Sequence, residues 1–132
     1  MKARNLAAMW QTYRAAGAQR LIASGPVESE AAVKAYADAL PRAAITLCRL
    51  HAGAGELTRR IMLRGQGGSW PQPGDPLAGQ STAYLLRVAA TAAADAEALE
   101  HAVIGAPRVD SDGLTVEETA DLIAARTRSA RG

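Results

Sequence analysis

The chain is 132 residues long with formal net charge +2, and although 48% of it is hydrophobic, alanine alone supplies 31 positions. Leu, Ile and Val together number 24, Phe is missing, and the low charge argues against disorder, so the expectation is one ordered domain with few large side chains to fill its core. A single cysteine, Cys48, excludes an internal disulfide framework and a cysteine-rich zinc site, and no run of 18 apolar residues or charged-then-apolar start points to a membrane or to export.

A reducing, cytoplasmic setting is the corresponding expectation. Thirteen of the 15 basic residues are arginines spread along the chain, and only five aromatics accompany them. A nucleic-acid binder concentrates its charge and adds stacking platforms, so a small basic binder ranks last among the functions considered.

In chain order, Leu6, Met9, Trp10 and Tyr13 recur at helical spacing ahead of Gly17, which predicts a helix over 3–16. Arg20 to Ser24 is a short apolar run cut by Gly25-Pro26 and reads as a buried strand. Val33, Tyr36, Ala37 and Leu40 restore the helical period, with Ser29 as N-cap and Pro41 as the stop. Ala44 to Leu50 reads as a second strand, ended by His51 and the turn Gly53-Ala54-Gly55.

A short helix over 56–64 turns Leu57 and Ile61 inward and carries Arg59, Arg60 and Arg64. Residues 65–79 hold glycines and prolines around Trp70, and a loop of that length in a small domain is a functional lid or disordered. A long helix over 81–103 keeps Leu85, Val88, Ala92, Ala96, Leu99 and Val103 on one face, and Gly105 and Pro107 end it. Arg108-Val109-Asp110 reads as a brief strand, Ser111-Asp112-Gly113 as a turn, and Thr115 with Glu118 as the capping box of a last helix over 116–127. Residues 128–132 read as a frayed tail.

Alternation of helix and strand predicts an α/β fold: three layers, with a parallel sheet of about three strands between helices, over a single domain 1–127. For chemistry, His51 and His101 are the only histidines, neither has a partner at ligand spacing, and no Gly-x-Ser-x-Gly elbow occurs, so neither a metal site nor a nucleophilic triad is expected. Arg59, Arg60 and Arg64 beside a glycine-rich loop suit polyphosphate oxygens, or equally form a solvated helix face. Asp110 to Gly113 stands either at a ligand edge or as an acidic turn before a capped helix.

The order of Cys48-Arg49-Leu50, then Glu56-Leu57, Arg60-Ile61 and Arg64-Gly65, then a Gly/Pro segment, a long helix and Val109 to Glu118 resembles the C-terminal two-thirds of small P-loop kinases. Gluconate-kinase-like, shikimate-kinase-like and adenylyl-sulfate-kinase-like proteins share this layout, as do ATP-binding proteins of the AAA family. The resemblance implies that Arg60 and Arg64 match lid arginines that embrace ATP phosphates, and that Asp110, Ser111, Asp112 and Gly113 match the loop bordering adenine. It further implies that Arg4 and Asn5 lie near the acceptor-substrate pocket and that Ser24 and Gly25 end a strand beside the phosphates.

ATP and Mg are the cofactors of complete relatives, and a nucleotide with a small-molecule acceptor their partners. No Gly-x-x-x-x-Gly-Lys-[Ser/Thr] occurs here: Gly53-Ala54-Gly55-Glu56 lacks the lysine, and no Lys-Ser or Lys-Thr follows Gly65-Gln66-Gly67-Gly68. The expectation is a truncated or degenerate kinase-like protein, inactive as given and binding no cofactor tightly. The strands that would carry the phosphate loop are expected ahead of Met1. The alternative is a non-catalytic interaction module that pairs its half-sheet with another chain, as a homo-oligomer or with a missing N-terminal half.

Overall fold

A computed structural model describes residues 2–68, 73–105 and 107–129. Trp70 of the expected lid and residues 130–132 of the expected tail lie outside these. The chain divides into two compact units, residues 1–46 and 47–132.

The first unit holds two helices, α1 (Lys2–Ala15) and α2 (Glu30–Ala39), packed on each other. Gly17 at φ 98° follows α1, a left-handed conformation that glycine adopts without a steric penalty. The Ser29 side chain accepts from the Ala32 N–H and so caps α2, as its position ahead of the periodic run predicts. No residue of either helix is buried, and Met9 and Tyr13 of the expected inner face are exposed.

The strand expected over 20–24 does not form. Every residue there is exposed, Ile22 at 96%, and among the described residues no strand pairs with it. A strand has no internal hydrogen bonds, so an apolar run without a pairing partner stays irregular.

The second unit runs β1 (Arg49–His51), α3 (Ala54–Gly65), α4 (Thr82–Ala102), β2 (Arg108–Asp110) and α5 (Val116–Ser129). The fold is mixed α/β and helix-rich. Among the described residues the sheet has two strands where about three were expected. Of the strand expected over 44–50 only Arg49 and Leu50 pair, and His51, expected to end it, is the third paired residue, because β2 is itself three residues long and offers partners to no more.

The pairing is parallel, with Arg49 opposite Arg108, Leu50 opposite Val109 and His51 opposite Asp110. Side chains alternate along a strand, so both chains put an arginine and a second ionisable group on one face and an apolar residue on the other. Parallel neighbours need a crossover, here supplied by α3 and α4.

Those two helices hold most of the core. Ile61, Leu77, Leu85 and Ala89 cluster there with Met62, Val88 and Ala92 partly buried against them. Gly65 allows the close approach: a Cβ on it would stand 2.3 Å from Leu85 Cδ1. Leu77 brings the segment after the glycine-rich stretch into this core, and the Gly79 N–H donates to the Gly65 carbonyl at 2.9 Å.

Ser81 caps α4 and Val103 closes it in the left-handed region at φ 51°. Val103 is consequently 73% exposed and does not continue the buried face expected of it. The capping box of α5 forms as expected: the Thr115 hydroxyl accepts from the Glu118 N–H at 3.1 Å and the Glu118 carboxylate accepts from the Thr115 N–H at 2.8 Å.

Candidate functional site

Both strands run the same way, so their carboxyl ends and the turns leaving them lie together, which is where open α/β sheets bind ligands. From β1 the chain passes through Ala52 and Gly53 into α3; from β2 it passes through Ser111, Asp112 and Gly113 toward α5.

Ser111 joins the two ends. Its N–H and its hydroxyl both donate to the His51 carbonyl at 2.9 Å, and the residue is buried. Arg60, one helical turn beyond Glu56 on α3, aims its fork at the same residue: Nη2 donates to the Ser111 carbonyl at 3.1 Å and both terminal nitrogens reach the hydroxyl at 3.2 Å. Arg60 Nε donates to Glu56 at 2.8 Å, and Arg59 donates twice to the same carboxylate. The Arg59 and Arg60 guanidiniums hold the Glu56 carboxyl down at about 2.

Asp112 faces the start of α3. Both its oxygens accept from the Gly53 N–H, at 2.9 and 3.2 Å. A carboxylate is favoured there because the first N–H groups of a helix lack intrahelical partners and its dipole is positive at that end. A Cβ at Gly53 would stand 2.8 Å from Asp112 Oδ2, so glycine leaves the room this contact occupies.

Asp110 forms an ion pair with Arg108 at 2.9 Å and lies 2.9 Å from His51 Nδ1. Arg108 and Arg49 both approach Glu100 at the end of α4, and Arg49 Nη1 donates to the Leu99 carbonyl at 3.3 Å.

The residues expected to bind nucleotide therefore divide. Arg60, Asp110, Ser111, Asp112 and Gly113 belong to one connected arrangement. Arg64 instead makes a two-pronged ion pair with Asp75 at 2.8 and 3.0 Å, and Asp75 also accepts from the Leu77 N–H at 3.0 Å. The Arg64 fork keeps the Asp75 carboxyl below its ordinary range. Arg4 and Asn5 are exposed on α1, and Ser24 and Gly25 are exposed between α1 and α2, all within the first unit.

His51, Glu56, Asp75, Glu100 and Arg108 were not singled out from the sequence as members of the site. One signal was present: Arg49-Leu50-His51 and Arg108-Val109-Asp110 repeat the order arginine, apolar, ionisable, the pattern of two strands that share a polar face. Cys48 is partly buried, and burial raises its thiol above the ordinary range, which leaves it a poor nucleophile. Among the described residues no group of three or more His, Cys, Asp and Glu side chains is placed to hold a metal ion, and no helix is long and apolar enough to cross a membrane.

No protein-family model matches the chain, and no significant match was found among curated proteins or solved structures.

Proposed function

We propose that the chain is the base-side part of a nucleotide-dependent, small-molecule kinase-like protein, with Asp110 to Gly113 as the turn bordering the nucleotide. One observation supports this reading above the rest: Arg60 reaches across 51 positions of sequence to clasp Ser111 at the shared carboxyl end of two parallel strands. The fork gives that turn a defined position, and a kinase contributes little beyond positioning and charge.

ATP-dependent phosphotransfer also needs backbone N–H groups and a lysine around the phosphates, and these 132 residues contain no such loop. In this reading the chain by itself holds ATP and magnesium weakly and transfers nothing. Calorimetric titration of ATP with magnesium into the chain should give no saturable binding tighter than about 1 mM. Tight, magnesium-dependent binding would overturn the claim that the phosphate site is lacking. An in-frame Gly-x-x-x-x-Gly-Lys-[Ser/Thr] directly upstream in the DNA supports the kinase-like reading, and a stop codon or unrelated sequence there removes the form of it in which such a loop precedes Met1.

The second reading is an interaction module. Leu50, central in β1, is 56% exposed, and a sheet of two short strands leaves edges open to another strand. Sedimentation of the chain alone tests the form of this reading in which the partner is a further copy: a dimer supports it, and a monomer removes that form.

A further inference from the structure

His51 Nδ1 lies 2.9 Å from Asp110 Oδ1 and 2.9 Å from Arg108 Nη2, and those two atoms are 2.9 Å from each other. No single proton arrangement satisfies all three contacts. A neutral ring nitrogen either donates or accepts: toward Asp110 it has to donate, toward Arg108 it has to accept. Nη2 gives a hydrogen to Nδ1 while staying ion-paired with Asp110, which puts the ring proton on Nε2. With the proton on Nδ1 instead, one Nη2 hydrogen would point at another N–H. Nε2 is not buried without a partner, so solvent can receive its proton's hydrogen bond.

Protonating the ring reverses the preference. Nδ1 then has only a hydrogen to offer, Asp110 takes it, and Arg108 faces a second cation. Arg108 has another carboxylate within reach, since its Nε already lies 3.3 Å from Glu100.

The remaining charged groups around the ring act through these partners. Arg49 stands on the same face of β1 and shares Glu100; Arg126 of α5 donates to the Arg108 carbonyl at 3.5 Å. Asp112 is engaged at the Gly53 N–H, and Glu56 and Arg60 of α3 stand behind Ser111, which holds the His51 carbonyl.

We infer that His51, Arg108 and Asp110 form a proton-operated switch at the carboxyl end of the strand pair: the neutral ring accepts from Arg108 at Nδ1, the protonated ring donates from Nδ1 to Asp110, and Arg108 passes to Glu100. Asp110 opens the turn to Gly113, which the Ser111 bonds to the His51 carbonyl already hold on β1, so proton uptake exchanges the side-chain partner at the start of that turn and leaves its backbone in place. The inference needs no nucleotide and stands apart from the kinase-like reading.

Nitrogen-15 NMR of the imidazole rings in the full chain tests it, with His101 assigned by His101→Gln. The neutral His51 ring should carry its proton on Nε2. In Arg108→Met, Asp110 stands alone at Nδ1, and the neutral ring should change to the Nδ1–H form. An Nδ1–H ring in the unsubstituted chain, or an unchanged tautomer in a folded Arg108→Met protein, overturns the switch. If that variant does not fold, the Arg108 side-chain resonances of the unsubstituted chain decide: they should move as the ring is protonated, and resonances that stay fixed overturn it.

Discussion

Arg49 and Arg108 face each other across the parallel strand pair and share one carboxylate, Glu100, at 3.5 and 3.3 Å. Two like charges at register positions repel, so the last turn of α4 stabilises the pairing by placing an anion between them. The Arg49 side chain is only 13% exposed and its Nε has no hydrogen-bond partner, which makes its attraction to Glu100 one of charge and not of geometry.

Glu100→Gln should therefore cost about 1–3 kcal/mol, below the full penalty for an uncompensated buried charge because Glu100 is partly exposed. Glu97→Gln, at an exposed position on the same helix, should stay within about 0.5 kcal/mol. Urea unfolding followed by helical circular dichroism measures both, and equal effects would show that Glu100 does not hold the strands.

Ser111→Ala should destabilise by about 1–2 kcal/mol, since the Arg60 fork loses its hydroxyl acceptor in a part-buried place while the Ser111 N–H still meets the His51 carbonyl. Arg60→Lys should cost a similar amount despite keeping its charge, because an ammonium cannot span Glu56 and Ser111 together. The double variant should lose less than the two losses added, and strict additivity would mean the residues do not act as a pair.

Two glycines of α3 should respond with opposite sign. Gly65→Ala drives a methyl into the buried Leu85 side chain and should cost about 1–3 kcal/mol. Gly55→Ala meets nothing within 4 Å and should stabilise by about 0.4–1 kcal/mol through the unfolded chain. Thermal unfolding midpoints give both signs.

Acid should unfold the second unit in a defined window. Glu56 and Asp75 have folded values below their unfolded ones, so their contribution is fully present above the ordinary carboxylate range of about 4 and is lost as pH falls through the lowered values, about 2 for Glu56. Arg64→Met removes the larger part of the Asp75 share, the Leu77 N–H holding the rest, and melting temperatures of that variant should fall less steeply between pH 4 and 2 than those of the unsubstituted chain. Parallel curves would assign the acid sensitivity elsewhere.

How much of this was legible depends on how local each feature is. The five helices of the described residues, the Ser29 cap and the Thr115–Glu118 capping box follow from groups three or four residues apart, and their periodicity and end signals are in the sequence. The run over 20–24 looks like a strand by composition and is not one, because composition supplies side chains but not a neighbour to bond. Arg60 could be chosen as a functional arginine, yet its partner could not, since Ser111 comes within reach only after α3 and α4 have carried the chain back to pair β2 with β1.

By itself, then, the sequence determined the helices, the caps at Ser29 and at Thr115 with Glu118, the turn at Asp110 to Gly113 and the lack of a phosphate-binding lysine loop in these 132 residues, whereas the left-handed close of α4 at Val103 was not in it. Arg108-Val109-Asp110 was legible as a strand too; tertiary structure decided which three residues pair with it in β1, that Arg64 answers to Asp75 and Arg60 to Ser111, and that His51, Arg108 and Asp110 meet. The physical reason is range: a helix satisfies its own backbone within four residues, whereas a strand and a charge cluster have no partner until the crossover is complete.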